Sequence, residues 1–290
     1  ASKFVLMNLD DYEENKIKLE YEDKWILSKL NNLIKEVRNN LDKYELGIAL
    51  EKIYTFMWDE FCDWYIEIVK PRLYNKENKS RRTAQYVLNK VLGDSLKLLH
   101  PFMPFITEEI YTKLYNEDES IMISEYPVYE EKLSYSQEEI EEIKQVITEI
   151  RNVRANMNVH PSKKSKIIFV TTKYQEFIEN SQEFIKKLGF ADEIIIKQNK
   201  ENIEQNVVSI VTKNMEIFIP FEDLVDIEEE RQRLLKEKEK IETEKSKTEK
   251  MLSNPGFMAK APKQKVEEET EKLAKFNEIL KNIEERINAL

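Results

Sequence analysis

Residues 251–290, MLSNPGFMAKAPKQKVEEETEKLAKFNEILKNIEERINAL, carry apolar side chains at Val266, Leu273, Leu280 and Ile287, and again at Phe276, Ile283 and Leu290. Two rows at seven-residue spacing lie on one seam of a helix and require a partner helix to cover them. The preceding stretch offers a thinner matching seam: Leu224, Ile227, Leu234, Ile241 and Leu252. Ser253-Asn254-Pro255-Gly256 breaks the pattern once. Residues 222–290 are therefore expected to form a C-terminal antiparallel coiled-coil hairpin. Each arm of about 28 residues would reach roughly 40 Å at 1.5 Å rise per residue. Arg231, Lys238 and Lys245 interrupt the seam. The arm is therefore expected to move in the absence of a partner and to order on contact.

Working outward, the remaining chain reads as two further regions. The first, 1–132, carries helical spacing at Trp25, Ile26, Leu30, Leu33, Ile34, Val37 and Leu41. The run 45–70, containing LGIALEKIYTFMWDEFCDWYIEIVK, is apolar on more than one face, as expected of a central bundle helix ended by Pro71. Trp58 and Trp64 read as core. A third helix, 80–99, bears Val87, Leu88, Val91, Leu92, Leu96 and Leu98. His100-Pro101-Phe102-Met103-Pro104-Phe105 reads as a turn, and Thr107-Glu108-Glu109 as the opening of a fourth helix with Ile110, Leu114 and Tyr115. The expectation is an antiparallel helical bundle.

The second region, 133–221, begins with Ser136 and Glu139 in a capping-box pattern before Ile140, Ile143, Ile147, Ile150 and Val153. Strand-like runs follow at 166–171, 193–197, 207–212 and 215–220, with a helix at 174–188 stopped by Gly189. Lys213-Asn214 reads as a two-residue hairpin turn with Asn at positive φ. This is a small α+β junction module. The whole is mostly α, in three parts: 1–132, 133–221 and 222–290.

The chain has 290 residues and a formal net charge of −10, which taken alone argues against a nonspecific nucleic-acid binder. Cys62 is its single cysteine, so no disulfide or four-cysteine zinc site forms within it. Its four glycines, at 47, 93, 189 and 256, make no phosphate loop. His100 and His160 stand beside prolines and read as turn residues. No metal, cofactor or catalytic residue is expected. No run suits a membrane span and no secretory leader is seen, so a cytoplasmic protein is expected. Ala1 rather than Met suggests entry into the middle of a longer protein.

Two basic patches stand out against this acidic background. Between 70 and 82 lie Lys70, Arg72, Lys76, Lys79, Arg81 and Arg82 against Glu77. Near the hairpin tip lie Lys245, Lys247, Lys250, Lys260, Lys263 and Lys265 against Glu249, with Phe257 and Met258 between them. Such clusters meet phosphates, and an exposed aromatic among lysines suits stacking on an unpaired base.

The segments ASKFVLMNLD, DEFCDWYIEIVKPRLY, RRTAQYVLNKVLGDSLKLLHPFMPFITEEIY, IRNVRANMNVHPSKK and LSNPGFMAKAPKQKVEEE resemble, in order and spacing, the C-terminal half of bacterial valyl-tRNA synthetase. The resemblance implies a class I aminoacyl-tRNA synthetase that attaches valine to tRNA(Val) using ATP. The nucleotide-binding catalytic domain and the editing domain would lie upstream. The bundle would bind the anticodon, and the arm would reach the corner of the tRNA. The implied anticodon contacts are Lys3, Phe4 and Asn8. Lys79, Arg81 and Arg82 would meet stem phosphates. Lys250, Phe257, Lys260 and Lys263 would meet the corner. The expected state is a monomer whose arm is free to swap or to make lattice contacts. An isoleucyl- or leucyl-type C-terminal region, or a non-enzymatic coiled-coil scaffold, remains as an alternative.

Overall fold

The protein is seen in a computed structural model, which describes residues 1–9, 17–115, 120–203, 206–224, 227–255 and 263–289. Helix α1 (Ser2–Met7) is followed by α2 (Tyr21–Asp42), α3 (Leu46–Thr55), a π-helical segment (Phe56–Tyr65) and α4 (Ile66–Tyr74). Then come α5 (Arg81–Leu99) and α6 (Pro104–Tyr115). The chain continues with α7 (Glu138–Asn156), β1 (Ser165–Val170), α8 (Gln175–Asn180), α9 (Gln182–Gly189) and β2 (Ala191–Lys197). It closes with β3 (Val207–Val211), β4 (Glu216–Pro220), α10 (Phe221–Leu224), α11 (Ile227–Leu252) and α12 (Lys263–Ala289).

The expected helical faces of α2, α5 and α7 are buried. Trp25, Leu30, Val37, Val87, Leu88, Val91, Ile143 and Ile147 belong to one continuous core running from Val5 to Leu224. Gly93 serves close approach, since a Cβ there would meet the Tyr115 hydroxyl at 2.0 Å. The four strands lie in the order β2-β1-β4-β3. β1 pairs parallel with β2, across α8 and α9, and antiparallel with β4, as β3 does.

The run after Glu45 departs from a plain helix. Its buried positions are Ala49, Ile53 and Phe56, then Phe61, Tyr65 and Ile66, then Ile68, Val69, Arg72 and Leu73. The five-residue step from Phe56 to Phe61 suits a wider π turn, whose bonds run i→i+5. Ordinary α spacing would have turned Asp59 or Glu60 inward instead. The helix is also not covered on several sides. Leu46, Ile48, Leu50, Tyr54 and Trp58 are exposed, so Trp58 is not a core residue. Trp58 stacks on Tyr54 with centroids 6.2 Å apart.

Pro71 does not end this helix; it sits inside α4. The next residue supplies the reason. Arg72 turns inward and donates from both terminal nitrogens to Asp23, at 2.9 Å each, as well as to Glu22 Oε1 at 2.5 Å and to the Ser80 carbonyl at 2.9 Å. The Tyr65 hydroxyl donates to Asp23 Oδ1 at 2.8 Å, and the Glu20 N–H to Oδ2 at 3.0 Å. Burial pushes the Glu22 carboxyl up to about 7, against the pull of Arg72 and with the help of Asp23. Burial alone would weaken the Arg72 cation, but Asp23 and Glu22 outweigh it and hold it charged.

Other boundaries move for identifiable reasons. α6 opens at Pro104, not Thr107, because proline suits a first helical position. The expected 174–188 helix is two, parted at Ser181. Gly189 ends α9, but the left-handed residue is Phe190 (φ 55°). Phe190 is held by the Arg154 guanidinium 4.9 Å from its ring and by the bond from Ser165 N to its carbonyl. Asn214 is not among the positive-φ residues; its amide instead donates to Glu142 at 2.9 Å. Before α7, Ser136 Oγ donates to Glu139 at 2.8 Å, but the cap is Gln137 with no side-chain bond.

Helices α11 and α12 pack against each other, with Leu234, Thr248, Leu280 and Ile283 buried and Lys238 bonded to Glu284 at 2.8 Å. Leu224 is not part of that seam; it belongs to the main core. Leu290 lies outside the described residues.

Arg72→Met is expected to lower the unfolding free energy by about 3–5 kcal/mol, since it strands a buried carboxylate pair; urea denaturation measures this. The folded chain also holds a proton on Glu22 that an unfolded glutamate, at 4.5, has lost. That contribution to stability falls as pH rises from 4.5 to about 7 and is level above. Glu22→Gln should remove this slope in parallel melts across that range.

Candidate nucleic-acid interface

Six cations lie between positions 70 and 82, and the fold sorts them. Arg72 is the buried clamp just described. Arg81 is buried too, and its Nε donates to the Leu73 carbonyl at 3.0 Å. It braces the end of α4, and its side chain lies mostly inside rather than on the solvent face where a phosphate contact was expected. Lys70 pairs with Glu67, one turn away on the same helix. Lys76, Lys79 and Arg82 are exposed. The loop 75–80 that presents Lys76 and Lys79 is built by Asn75 and Asn78, whose side chains accept from the N–H groups of Glu77 (3.1 Å) and Ser80 (2.9 Å).

Helix α1 brings the other candidates to the bundle. Val5 is buried and anchors it, and Gln85 Nε2 donates to the Asn8 carbonyl at 2.7 Å. Lys3 is exposed, and Phe4 is half-buried. The cation over the Phe4 ring is Lys70, 5.6 Å from its centroid, rather than its neighbour Lys3. Sequence reading placed Lys70 in the basic run but had no signal linking it to Phe4. Asn8 spends its amide donor on the Phe4 carbonyl at 2.8 Å, which fixes that side chain. The structure therefore brings Phe4 and Lys70 together, while Lys79, on the 75–80 loop, and Arg82, in the first turn of α5, lie on the separate stretch 75–82.

At the far end of the chain, Lys250 is exposed on the last turn of α11. Lys245 and Lys247 pair with Glu249 (3.7 Å) and Glu244 (2.7 Å) on their own helix, which removes part of the expected tip charge. Lys263 opens α12. Phe257 and Lys260 lie outside the described residues.

The histidines make turn contacts. His100 Nδ1 bonds with Thr107 Oγ1 at 2.7 Å, and His160 Nδ1 with Ser162 Oγ at 2.7 Å. A polar cleft of about 240 Å³ opens beside Arg72, but Glu20, Glu22 and Glu183 line it, and that charge does not suit a phosphate. Among the described residues no cluster of His, Cys, Asp or Glu could hold a metal, and no helix is long and apolar enough to cross a membrane.

The described residues thus join a bundle with exposed cations and a cation-covered aromatic to a pair of long charged helices. Residues 23–170 match the family described as anticodon-binding domain of tRNA ligase, and the chain belongs to that family. Residues 226–290 match the family described as valyl tRNA synthetase tRNA binding arm. The chain is 48% identical, over its whole length, to the valine--tRNA ligases of Clostridium acetobutylicum and Clostridium perfringens. It is 41% identical to that of Thermotoga maritima over 98% of its length. It spans about a third of these relatives, 34%, 34% and 32% of their lengths, and corresponds to the C-terminal part of the two clostridial ligases.

Arg81→Ala is expected to cost about 1–3 kcal/mol of stability, through the lost bond to Leu73. Lys79→Ala should stay within about 0.5 kcal/mol of the parent, as an exposed residue does. Thermal melts of the two variants side by side distinguish the bracing arginine from the free-facing lysine.

Proposed function

We propose that this chain is the tRNA-recognition part of a valine--tRNA ligase, the ATP-dependent enzyme that attaches valine to tRNA(Val). The observation that carries this reading is the succession, along one chain, of an anticodon-binding family match and a valyl-type arm match. In this reading 1–132 is the anticodon-binding bundle, 133–221 the α+β junction and 222–290 the arm. The arm is an antiparallel coiled-coil hairpin. Support comes from the contact of Lys238, early in α11, with Glu284, late in α12, and from the buried Leu234, Leu280 and Ile283.

Phe4, with Lys70 over its ring, offers the bundle's anticodon-side contact, flanked by Lys3 and Asn8. An aromatic ring beside a cation suits a splayed anticodon base and its phosphate. Lys79 and Arg82 take stem phosphates, and Lys250, Phe257, Lys260 and Lys263 take the tRNA corner. The protein works in the cytoplasm as a monomer, where tRNA and ATP are found together.

Filter binding with purified tRNAs tests this reading. Affinity for tRNA(Val) should fall at least ~10-fold between 50 and 200 mM salt, as several released counterions require. Valine tRNA should bind more tightly than isoleucine tRNA; equal affinities would remove valine reading from this part of the ligase. The double variant Lys250→Glu and Lys260→Glu should weaken both RNAs alike. No change would displace the corner contact from the arm.

A further inference from the structure

Glu67, on α4, is surrounded by more positive charge than it can neutralise. Lys70 pairs with it from the same helix. Lys187, in the last turn of α9, approaches its other oxygen at 3.8 Å. Arg151, on α7, feels the same carboxylate, which opposes the effect of burial on its guanidinium. Two cations from two helices thus share one anion, and Arg151, bonded to the Leu188 carbonyl next to Lys187, brings a third positive charge beside them. Residues 67, 151 and 187 are far apart in sequence, and only the packing of α4, α7 and α9 brings them together.

The donors of this cluster are largely unspent. Lys187 makes only the 3.8 Å ion pair, longer than a hydrogen bond, among the described residues. Burial and neighbouring Lys70 pull its ammonium below the ordinary lysine range, with Glu67 opposing. It is therefore a cation that would gain from a second anion. Arg151 bonds through Nε to the Leu188 carbonyl at 3.1 Å, which leaves its two terminal amino groups for a bidentate partner among the described residues. An aromatic ring bounds the cluster on either side. The Phe4 ring lies 5.6 Å from Lys70 Nζ, and the Trp64 ring 5.6 Å from Arg151 Cζ.

We propose that Lys70, Lys187 and Arg151 form a phosphate seat for the RNA backbone, continuous with Phe4 and separate from both the stretch 75–82 and the arm. This rests on the tRNA-recognition reading and deepens it. A polyanion crossing from Phe4 along α4 to the end of α9 meets charge, bidentate donors and two ring faces in succession. The net −10 charge of the chain makes an unneutralised cluster of this kind unusual on its surface. Glu67 keeps Lys70 and Lys187 oriented while no ligand is present, the Leu188 carbonyl holds Arg151, and Glu67 is the group an arriving phosphate competes with.

The test is tRNA(Val) binding across a salt series with the full chain and two single variants of opposite sign. Lys187→Ala should weaken binding about 3–10-fold near 100 mM salt and reduce the log–log salt slope by about 1. Glu67→Gln should strengthen binding by a similar factor. Lys187→Arg should restore parent affinity. Thermal melts close to the parent would show that each variant is folded. The seat is overturned if the parent binds tRNA while Lys187→Ala and Glu67→Gln bind as the parent does, with an unchanged slope. It is also overturned if poly-glutamate competes at the seat as well as tRNA does, which would make an acidic polypeptide the partner. A parent chain that binds no tRNA at 50 mM salt would overturn the recognition reading itself, and the seat with it.

Discussion

The bundle depends on one buried carboxylate. Asp23 is fully buried and accepts four hydrogen bonds: two from Arg72, one from the Tyr65 hydroxyl and one from the Glu20 backbone. A carboxylate has about four acceptor sites, so none is left unmet. The bonds come from the start of α2, the end of the π segment and α4, and Arg72 reaches on to the Ser80 carbonyl before α5. Burying such charges is expensive, and the arrangement stands because Asp23 and both terminal nitrogens of Arg72 are matched, with only the Arg72 Nε left without a partner among the described residues. It fixes the mutual setting of three helices more sharply than apolar packing alone, which tolerates sliding.

That clamp explains features that otherwise look unrelated. Proline inside a helix removes a backbone bond and disfavours continuation by about 3 kcal/mol. α4 nevertheless continues past Pro71, because the next residue is drawn into the clamp and Arg81 then takes up the Leu73 carbonyl. Both arginines are buried as a result, and the loop between them presents Lys76 and Lys79 outward. The π segment upstream has the complementary task. It advances the helix face by one extra residue, so that Phe61 and Tyr65 enter the core and the Tyr65 hydroxyl meets Asp23. Interior ion pairs and exterior cations are thus two consequences of one local winding.

What could be read from the sequence was whatever repeats at short range. The buried faces of α2, α5 and α7, the four strands and the burial of Leu234, Leu280 and Ile283 on α11 and α12 follow from spacing within one element. What could not be read depends on pairs remote in the chain. Asp23 and Arg72 are 49 positions apart, and nothing in either neighbourhood marks them as partners. Counting charge along 70–82 treated Arg72 and Arg81 as solvent-facing, whereas two of those six cations are buried. Trp58 was read as core because aromatic residues usually are. It lies four residues after the exposed Tyr54 and eight after Leu50, so helical spacing puts it on their open face. Of the proposed contacts, Phe4 could be singled out from the sequence, but the cation over its ring could not.

Acidity does not contradict the proposed RNA binding once distance is considered. At physiological ionic strength exposed charges are screened beyond about 8 Å, so a phosphate senses the nearest few side chains and not the molecular total. What matters is which cations remain unneutralised by their immediate neighbours. Here many do not: Lys144 is held by Glu60, Lys173 by Glu138, Lys245 by Glu249 and Lys247 by Glu244. Among the described residues, Lys76, Lys79 and Lys250 are exposed, and Lys70 and Lys187 share the single carboxylate of Glu67. Elsewhere the negative surface repels nucleic acid in wrong orientations, so the same acidity that weakens indiscriminate contact sharpens the fit of an RNA that can reach those places together.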